Sequence, residues 1–251
     1  MNHPVGITGK PVSGKPVLGN PLPLLAPESV IFDLDGTLID SIESYYRIVE
    51  ITLERLGLPA VSRERISKAA HHDTFQWEQI LRAAPGKTLS ETRASARQII
   101  EVIYPELFLK NIRPFPHTGA VLRLLQACRI RISIVTSTPQ KNIRDKMKIL
   151  DQAGVADLVE VVISAGDTER KKPHPDPLTL CRERMGLDAG SCAYVGDAAI
   201  DMVAGRAAGM KTIGVLTGFD GRDDLSQKNP DRIIDSISDL PLVLDLHGGS
   251  P

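Results

Sequence analysis

Two carboxylates separated by one residue end a short apolar run early in the chain. The run is Val-Ile-Phe at 30–32, and Asp33 and Asp35 follow it, with a glycine turn next. In an extended strand the side chains at i and i+2 point the same way, so the two acids converge at the strand end. Two like charges so close are costly unless a cation lies between them or one is protonated. The pair therefore predicts a divalent metal or acid/base chemistry.

Two later loops offer groups that suit an anionic ligand. Thr136 and Ser137 follow an apolar run, and a hydroxyl with free backbone N–H groups before a helix fits a phosphate. Lys172 precedes Pro173, whose ring restricts the backbone, so the ammonium could be held in place rather than solvated. Taken singly, each segment fits an ordinary surface loop better.

A second pair of acids lies near residue 200. Asp197 comes directly after a glycine at the end of a predicted strand, and Asp201 falls in the first turn of the next helix. The helix dipole alone accounts for an acid at Asp201, but it does not account for Asp197. Carboxylates at two strand ends suit a hard cation such as Mg²⁺, bound together with water and phosphate oxygens.

Taken together, these segments resemble the four motifs of the haloacid dehalogenase-like (HAD) hydrolase superfamily, in the same order. The first, D-L-D-G-T at 33–37 with D-S at 40–41, is similar to the phosphoglycolate phosphatase-like branch. The resemblance extends over about residues 29–245 and includes A-G-R-A-A-G-M at 204–210. It implies an α/β fold, with a Rossmann-like parallel-sheet core and an inserted all-helical cap domain.

The resemblance also implies a role for each motif residue. Asp33 would attack phosphorus and form an aspartyl-phosphate, and Asp35 would protonate the leaving oxygen and then activate water. Lys172 would neutralise charge on Asp33 and on the phosphate. The other implied roles are phosphoryl binding by Thr136, Ser137 and Lys172, Mg²⁺ ligation by Asp33, Asp35 (through its backbone carbonyl) and Asp197, and support from Thr37 and Asp201.

The expected activity is hydrolysis of a small phosphorylated metabolite by a Mg²⁺-dependent phosphatase. Asp35 favours phosphate ester or anhydride chemistry, because the dehalogenase and phosphonate-cleaving members of the superfamily differ at that position. One alternative is a phosphomutase of the β-phosphoglucomutase type, which has the same core and cap. The other is a non-catalytic phosphate-binding regulator, and the complete set of acids and lysine argues against it.

Alternating strands and helices must position these residues. Helical spacing predicts one helix capped by Asp40 and ending at Gly57, and further helices near 62–70, 74–84 and 90–109, with caps at Ser62, Thr74 and Ser90. No strand pattern appears between 41 and 110. Beyond that, strands at 130–135, 159–163, 192–195 and 212–216 alternate with helices at 119–128, 139–150, 177–185 and 200–208. This alternation predicts a parallel sheet, with a short strand and a final helix at 233–246.

The pattern divides the chain into three parts. Residues 1–28 hold six prolines and four glycines, which predicts a flexible tail. Residues 29–40 and 112–251 form the predicted core, and 41–111 form the predicted cap. His71 and His72 lie near the family's specificity loop, where relatives carry small residues. They could contact an anionic substrate or form a surface turn, so the resemblance does not extend to phosphoglycolate specificity.

Composition limits the class of protein. The 251 residues are 42% hydrophobic and 24% charged with a net charge of −1, so no basic field draws the chain to nucleic acid or membrane. Three widely separated cysteines fit a reducing cytoplasm and argue against a disulfide framework. Neither a secretion signal nor an apolar run of the ~18 residues of a membrane helix is present. We expect a cytoplasmic monomer or homodimer that acts on a small molecule.

Overall fold

The computed structural model describes residues 26–70 and 75–246. The strands in these ranges are β1 (Ser29–Phe32), β2 (Ile39–Asp40), β3 (Arg113–Pro114), β4 (Arg131–Val135), β5 (Val159–Ile163), β6 (Cys192–Gly196), β7 (Lys211–Val215) and β8 (Arg232–Ile234). The helices are α1 (Ile42–Arg55), α2 (Arg63–Ala70), α3 (Trp77–Ile80), α4 (Leu89–Asn111), α5 (Thr118–Ala127), α6 (Gln140–Asp151), α7 (Asp176–Met185), α8 (Ala199–Ala207), α9 (Arg222–Ser226) and α10 (Leu240–Val243).

A six-stranded parallel sheet forms the centre of the molecule, in the spatial order β5-β4-β1-β6-β7-β8. Counted along the core alone, this is the doubly wound order 3-2-1-4-5-6. Successive strands run outward from β1 in one direction and then in the other. Ligands bind such sheets at the carboxyl ends of the strands beside this switch point. The predicted α/β fold class is confirmed, and the end of β1 lies where a ligand is expected.

The central strand is buried on both faces of the sheet. Val30 and Phe32 belong to one apolar cluster and Ile31 to another, and none of the three side chains is exposed to solvent. Successive strand residues point to opposite faces, so a strand covered on both sides must be apolar at every position. Because β1 is buried in this way, it gives a rigid base to the acids that follow it.

Helices α1 to α4 form an insertion between β2 and β3. These two short strands pair antiparallel, with Ile39 opposite Pro114, so the chain enters and leaves the insertion side by side. The insertion has a buried cluster of its own, made of Val49, Leu53, Leu56, Ile66, Ala69, Ile80, Leu81 and Ala96.

In the described part of the chain, no helix is both long and apolar enough to cross a membrane.

The element boundaries differ from the predicted ones mainly inside the insertion. Asp40 does not cap α1, because it lies in β2 opposite Arg113, and Ser41 is the N-cap residue. Thr88 rather than Ser90 caps α4, through reciprocal hydrogen bonds with Glu91. The helix predicted at 74–84 is only the four-residue α3.

Some predictions fall outside the described residues, and others match closely. The tail up to residue 25, together with His71, His72 and Thr74, lies outside the described ranges. From residue 118 to 215 the observed bounds agree with the predicted ones to within about a residue. The sequence pattern did not predict the five-residue helix α9.

Candidate active site

A cavity of about 350 Å³ opens at the carboxyl ends of the central strands. Most of the predicted site residues line it: Asp33, Asp35, Thr136, Ser137, Lys172, Asp197 and Asp201. The insertion contributes Tyr45, Ala70 and Phe75 to the same cavity, and the loop after β7 contributes Phe219. The core and the insertion therefore both form its walls.

A buried ammonium links two of the predicted acids. Lys172 Nζ lies 2.7 Å from Asp33 Oδ1 and 2.7 Å from Asp201 Oδ1, and it donates to Tyr194 Oη at 3.0 Å. Burial alone would lower the pKa of Lys172, but the attraction of Asp201 and Asp33 outweighs burial and raises this pKa well above its usual value. The lysine is therefore a fixed positive charge beside Asp33.

Asp33 and Asp197 are buried acids with few compensating charges. Burial, opposed by Lys172 and reinforced by Asp201 and Asp35, raises the pKa of Asp33 to about 7. Burial and the charge of Asp33 raise the pKa of Asp197 well above its usual value. Thr37 Oγ1 donates to Asp197 Oδ1 at 3.1 Å, and the backbone N–H of Phe219 donates to Asp197 Oδ2 at 3.3 Å. Thr37 thus lies behind the site and holds Asp197.

Glycines let the backbone approach these acids closely. A Cβ atom at Gly218 would lie 1.7 Å from Asp197 Oδ2, and one at Gly36 would lie 2.7 Å from the same oxygen. Gly36 also has φ +74°, a left-handed conformation that glycine adopts at little cost. The motif glycine after Asp35 is therefore required both by its backbone angle and by the carboxylate beside it.

The loop after β4 presents two hydroxyl groups with different surroundings. Thr136 Oγ1 lies 3.0 Å from Thr138 Oγ1 and accepts from the Thr138 backbone N–H at 3.1 Å. Ser137 Oγ is buried and has no hydrogen-bond partner among the described residues. Since Ser137 lines the cavity, its hydroxyl is available to an anionic ligand there.

Asp35 has a partner that the sequence did not reveal. Its Oδ2 atom is ion-paired with Lys146 and accepts from Thr138 Oγ1 at 3.0 Å. Lys146 lies on α6, where the spacing of basic residues resembles an ordinary solvated helix face. Tyr194 was missed as well, because a tyrosine in a buried strand is usually a core residue. Both become recognisable only once the sheet and the insertion are assembled.

Three acids lie close enough to share one cation. Single carboxylate oxygens of Asp33, Asp197 and Asp201 all lie within 4.8 Å of one another. Oxygen ligands of this kind suit a hard divalent cation. Asp201 belongs to this side-chain cluster, whereas the side chain of Asp35, which was expected to contribute only its backbone carbonyl, pairs with Lys146.

The family model of haloacid dehalogenase-like hydrolases matches residues 30–215. This span includes every predicted site residue from Asp33 to Asp201. The chain therefore belongs to the haloacid dehalogenase-like hydrolase family.

Within that family the chain is similar to phosphoglycolate phosphatases. The Escherichia coli K12 enzyme of that name is 32% identical over 86% of this chain and 92% of its own length. The Salmonella paratyphi A enzyme is 30% identical over the same shares. The crystal structure of a predicted phosphoglycolate phosphatase from Haemophilus somnus covers 86% of this chain at 25% identity and a TM-score of 0.75. These relatives and the family together indicate a phosphatase.

Proposed function

We propose that this chain is a Mg²⁺-dependent phosphatase that hydrolyses a small phosphate monoester through a phosphorylated Asp33. The main support for this proposal is the position of Lys172, whose buried ammonium lies 2.7 Å from Asp33 in the cavity. A carboxylate that attacks an anionic phosphate needs nearby positive charge, and Lys172 supplies a fixed part of it.

In the first half of the proposed reaction, a carboxylate oxygen of Asp33 attacks phosphorus while the bond from phosphorus to the ester oxygen breaks. The products are an aspartyl-phosphate and an alcohol. Asp35 donates the proton that the departing oxygen needs. Ser137, whose hydroxyl has no partner within the described ranges, donates to the phosphoryl oxygens, and Lys172 neutralises charge on Asp33.

In the second half, water attacks phosphorus and Asp35 takes the proton of that water. The bond to Asp33 breaks, inorganic phosphate leaves, and both acids return to their starting state. Bound Mg²⁺, held by Asp33 and Asp197 with the backbone carbonyl of Asp35, would offset charge shared by the carboxylates and the phosphate. Asp201 and Thr37 would hold Lys172 and Asp197 in place.

The proposed substrate is a small phosphorylated metabolite, and phosphoglycolate is the first compound to test. Support comes from the relatives of that name and from the limited cavity, into which Tyr45, Phe75 and Phe219 project apolar rings. Lys171 also lines the cavity and offers a second cation there. We propose further that helices α1 to α4 act as a cap domain, hinged at β2 and β3, which selects the substrate.

The test is phosphate release from phosphoglycolate, p-nitrophenyl phosphate and a panel of sugar phosphates. We expect turnover that is abolished by EDTA and restored by Mg²⁺. Asp33→Asn should lower kcat by at least about 10³-fold, because an amide cannot form the acyl phosphate. The matched control is Asp157→Asn, which changes an exposed acid that does not line the cavity and should keep full activity. Undiminished turnover by Asp33→Asn, or a wild type inert toward every ester, would contradict the proposal.

We also propose a cytoplasmic setting and a monomeric or homodimeric state. The three cysteines are free, and Cys181 and Cys192 are buried, which suits a reducing compartment. Light scattering after gel filtration distinguishes the 27.3 kDa monomer from its dimer.

A further inference from the structure

A second buried lysine lies outside the set of predicted site residues. The Lys146 side chain is only 1% exposed, and its Nζ atom contacts Asp35 Oδ2, Thr138 Oγ1 at 2.7 Å and Tyr45 Oη at 3.3 Å. Those three partners all line the cavity. Burying an ion pair contributes little to stability, because desolvation offsets the attraction between the charges. A gain in stability therefore does not explain why Lys146 is buried here, and a functional explanation is needed.

The insertion contributes much of the surroundings of Lys146. The ammonium lies 4.6 Å from the ring centroid of Phe108 on α4, within the range of a cation–π contact. Tyr45, on α1, supplies the hydroxyl described above. Lys146 itself belongs to the core helix α6. It therefore lies between the core and the insertion, in contact with Asp35 on one side and with Tyr45 and Phe108 on the other.

The two oxygens of Asp35 have different surroundings. Oδ2 accepts from both Lys146 and Thr138, whereas Oδ1 is buried and has no partner among the described residues. An oxygen that already accepts from two donors is poorly placed to carry a proton as well. Oδ1 is therefore the oxygen left to exchange a proton with a group bound in the cavity.

We propose that Lys146 is a positioning residue for proton transfer at Asp35, an inference that rests on the function proposed above. With Thr138 it holds Oδ2 and fixes the plane of the carboxyl group. The proton on Oδ1 then passes to the ester oxygen as its bond to phosphorus breaks. In the second half-reaction Oδ1 recovers a proton from the attacking water.

The test compares two leaving groups that differ in their need for a proton. An alkyl alkoxide must be protonated as it leaves, whereas p-nitrophenolate leaves readily without a proton. The value of kcat/KM reports the steps up to the first irreversible one, here transfer to Asp33. Lys146→Met should lower kcat/KM about 10²-fold for phosphoglycolate, because general acid catalysis contributes at least that much, and only a few-fold for p-nitrophenyl phosphate. Glycerol 2-phosphate replaces phosphoglycolate if the wild type does not turn phosphoglycolate over.

Two further variants make the result decisive. Lys148→Met removes an exposed lysine from the same helix and should change neither value. Thr138→Val removes the second donor to Oδ2 while keeping the side-chain shape, and it should move the ratio in the same direction. If Lys146→Met does not fold, the ratio for Thr138→Val decides the question in its place.

Equal losses for the two substrates, or no loss, would overturn the positioning role while leaving the phosphatase intact. A wild type that hydrolyses neither ester would instead overturn the proposed function, and this inference with it. The two failures are therefore distinguishable in one set of assays.

Discussion

At the scale of single residues, the site is a problem of charge balance. Three acids, Asp33, Asp197 and Asp201, cluster beside one ammonium, that of Lys172, so with all three ionised the cluster would carry two more negative than positive charges. The raised pKa values of Asp33 and Asp197 express the same imbalance, because burial makes each uncompensated charge expensive. A divalent cation would cancel the excess. The carboxylates thus favour a metal on electrostatic grounds as well as on ligand type.

The close approach of Gly218 to Asp197 gives a prediction at this scale. Gly218→Ala would force a Cβ atom to within 1.7 Å of Asp197 Oδ2, so the carboxylate must move. We expect the Mg²⁺ concentration for half-maximal activity to rise about 10-fold or more, as when the support of a metal ligand is lost. The measurement is phosphate release against Mg²⁺ concentration, with calorimetric titration of Mg²⁺ in the absence of substrate.

Gly190→Ala is the matched control for that substitution. No atom lies within 4 Å of a Cβ built at Gly190, and its φ is not left-handed, so an alanine fits there without strain. The control should show the wild-type Mg²⁺ dependence. An unchanged dependence in Gly218→Ala as well would show that Asp197 is not a ligand.

Single residues also show where prediction from the sequence stops. Lys172 could be predicted because it occurs in a motif beside a proline. Lys146 could not, because it shares α6 with Lys141, Arg144 and Lys148, and the local pattern does not distinguish the buried lysine from exposed ones. Its burial depends on Tyr45 and Phe108, which are about 100 and about 40 residues away along the chain.

At the scale of elements, the start of α4 gives a prediction about stability. Thr88 Oγ1 accepts from the Glu91 backbone N–H at 3.2 Å, and Glu91 Oε2 accepts from the Thr88 backbone N–H at 2.7 Å. Thr88→Ala should lower the free energy of unfolding by about 1 kcal/mol, because the Glu91 backbone N–H loses its acceptor, whereas the backbone N–H of residue 88 can still donate to Glu91. Urea unfolding followed by circular dichroism measures the change.

Ser90→Ala provides the control for Thr88→Ala from the same turn of helix. Ser90 is exposed, and its substitution should leave the urea midpoint nearly unchanged. A larger effect for Ser90 than for Thr88 would contradict the observed cap.

Elements of the core were more predictable than those of the insertion. Core strands such as β5 and β6 are short, mostly apolar runs between glycines, charges and turn residues, so local signals mark both of their ends. In the insertion several hydroxyl residues compete as caps, and Pro85 interrupts the helical spacing. The choice of Thr88 over Ser90 depends on the exact side chain three residues later, which the apolar spacing does not report.

At the scale of the whole molecule, every described site residue lies between Asp33 and Phe219. Among the described residues, Glu28 makes the first contacts with the sheet: its N–H donates to Ser191 O at 2.8 Å and its carbonyl accepts from Arg131 N at 2.9 Å. A shortened protein, in which Met is followed directly by residue 26, keeps both contacts. Its kcat/KM should stay within about twofold of the full chain, and its melting temperature should be unchanged.

Steady-state kinetics and calorimetry of the two forms test this prediction. A large loss of activity in the shortened protein, with its melting temperature preserved, would assign the tail a part in binding the substrate. A lowered melting temperature would instead show that the tail packs on the core.

The single tryptophan of the chain has a practical consequence. Trp77 lies in the insertion, 4.7 Å between ring centroids from Phe75, which lines the cavity. The parallel sheet and its helices contain no indole, so tryptophan fluorescence arises from the insertion alone. Trp77 can therefore serve as an intrinsic fluorescent probe of the insertion beside the cavity. Stopped-flow recording of that signal is a way to follow ligand entry without any attached label.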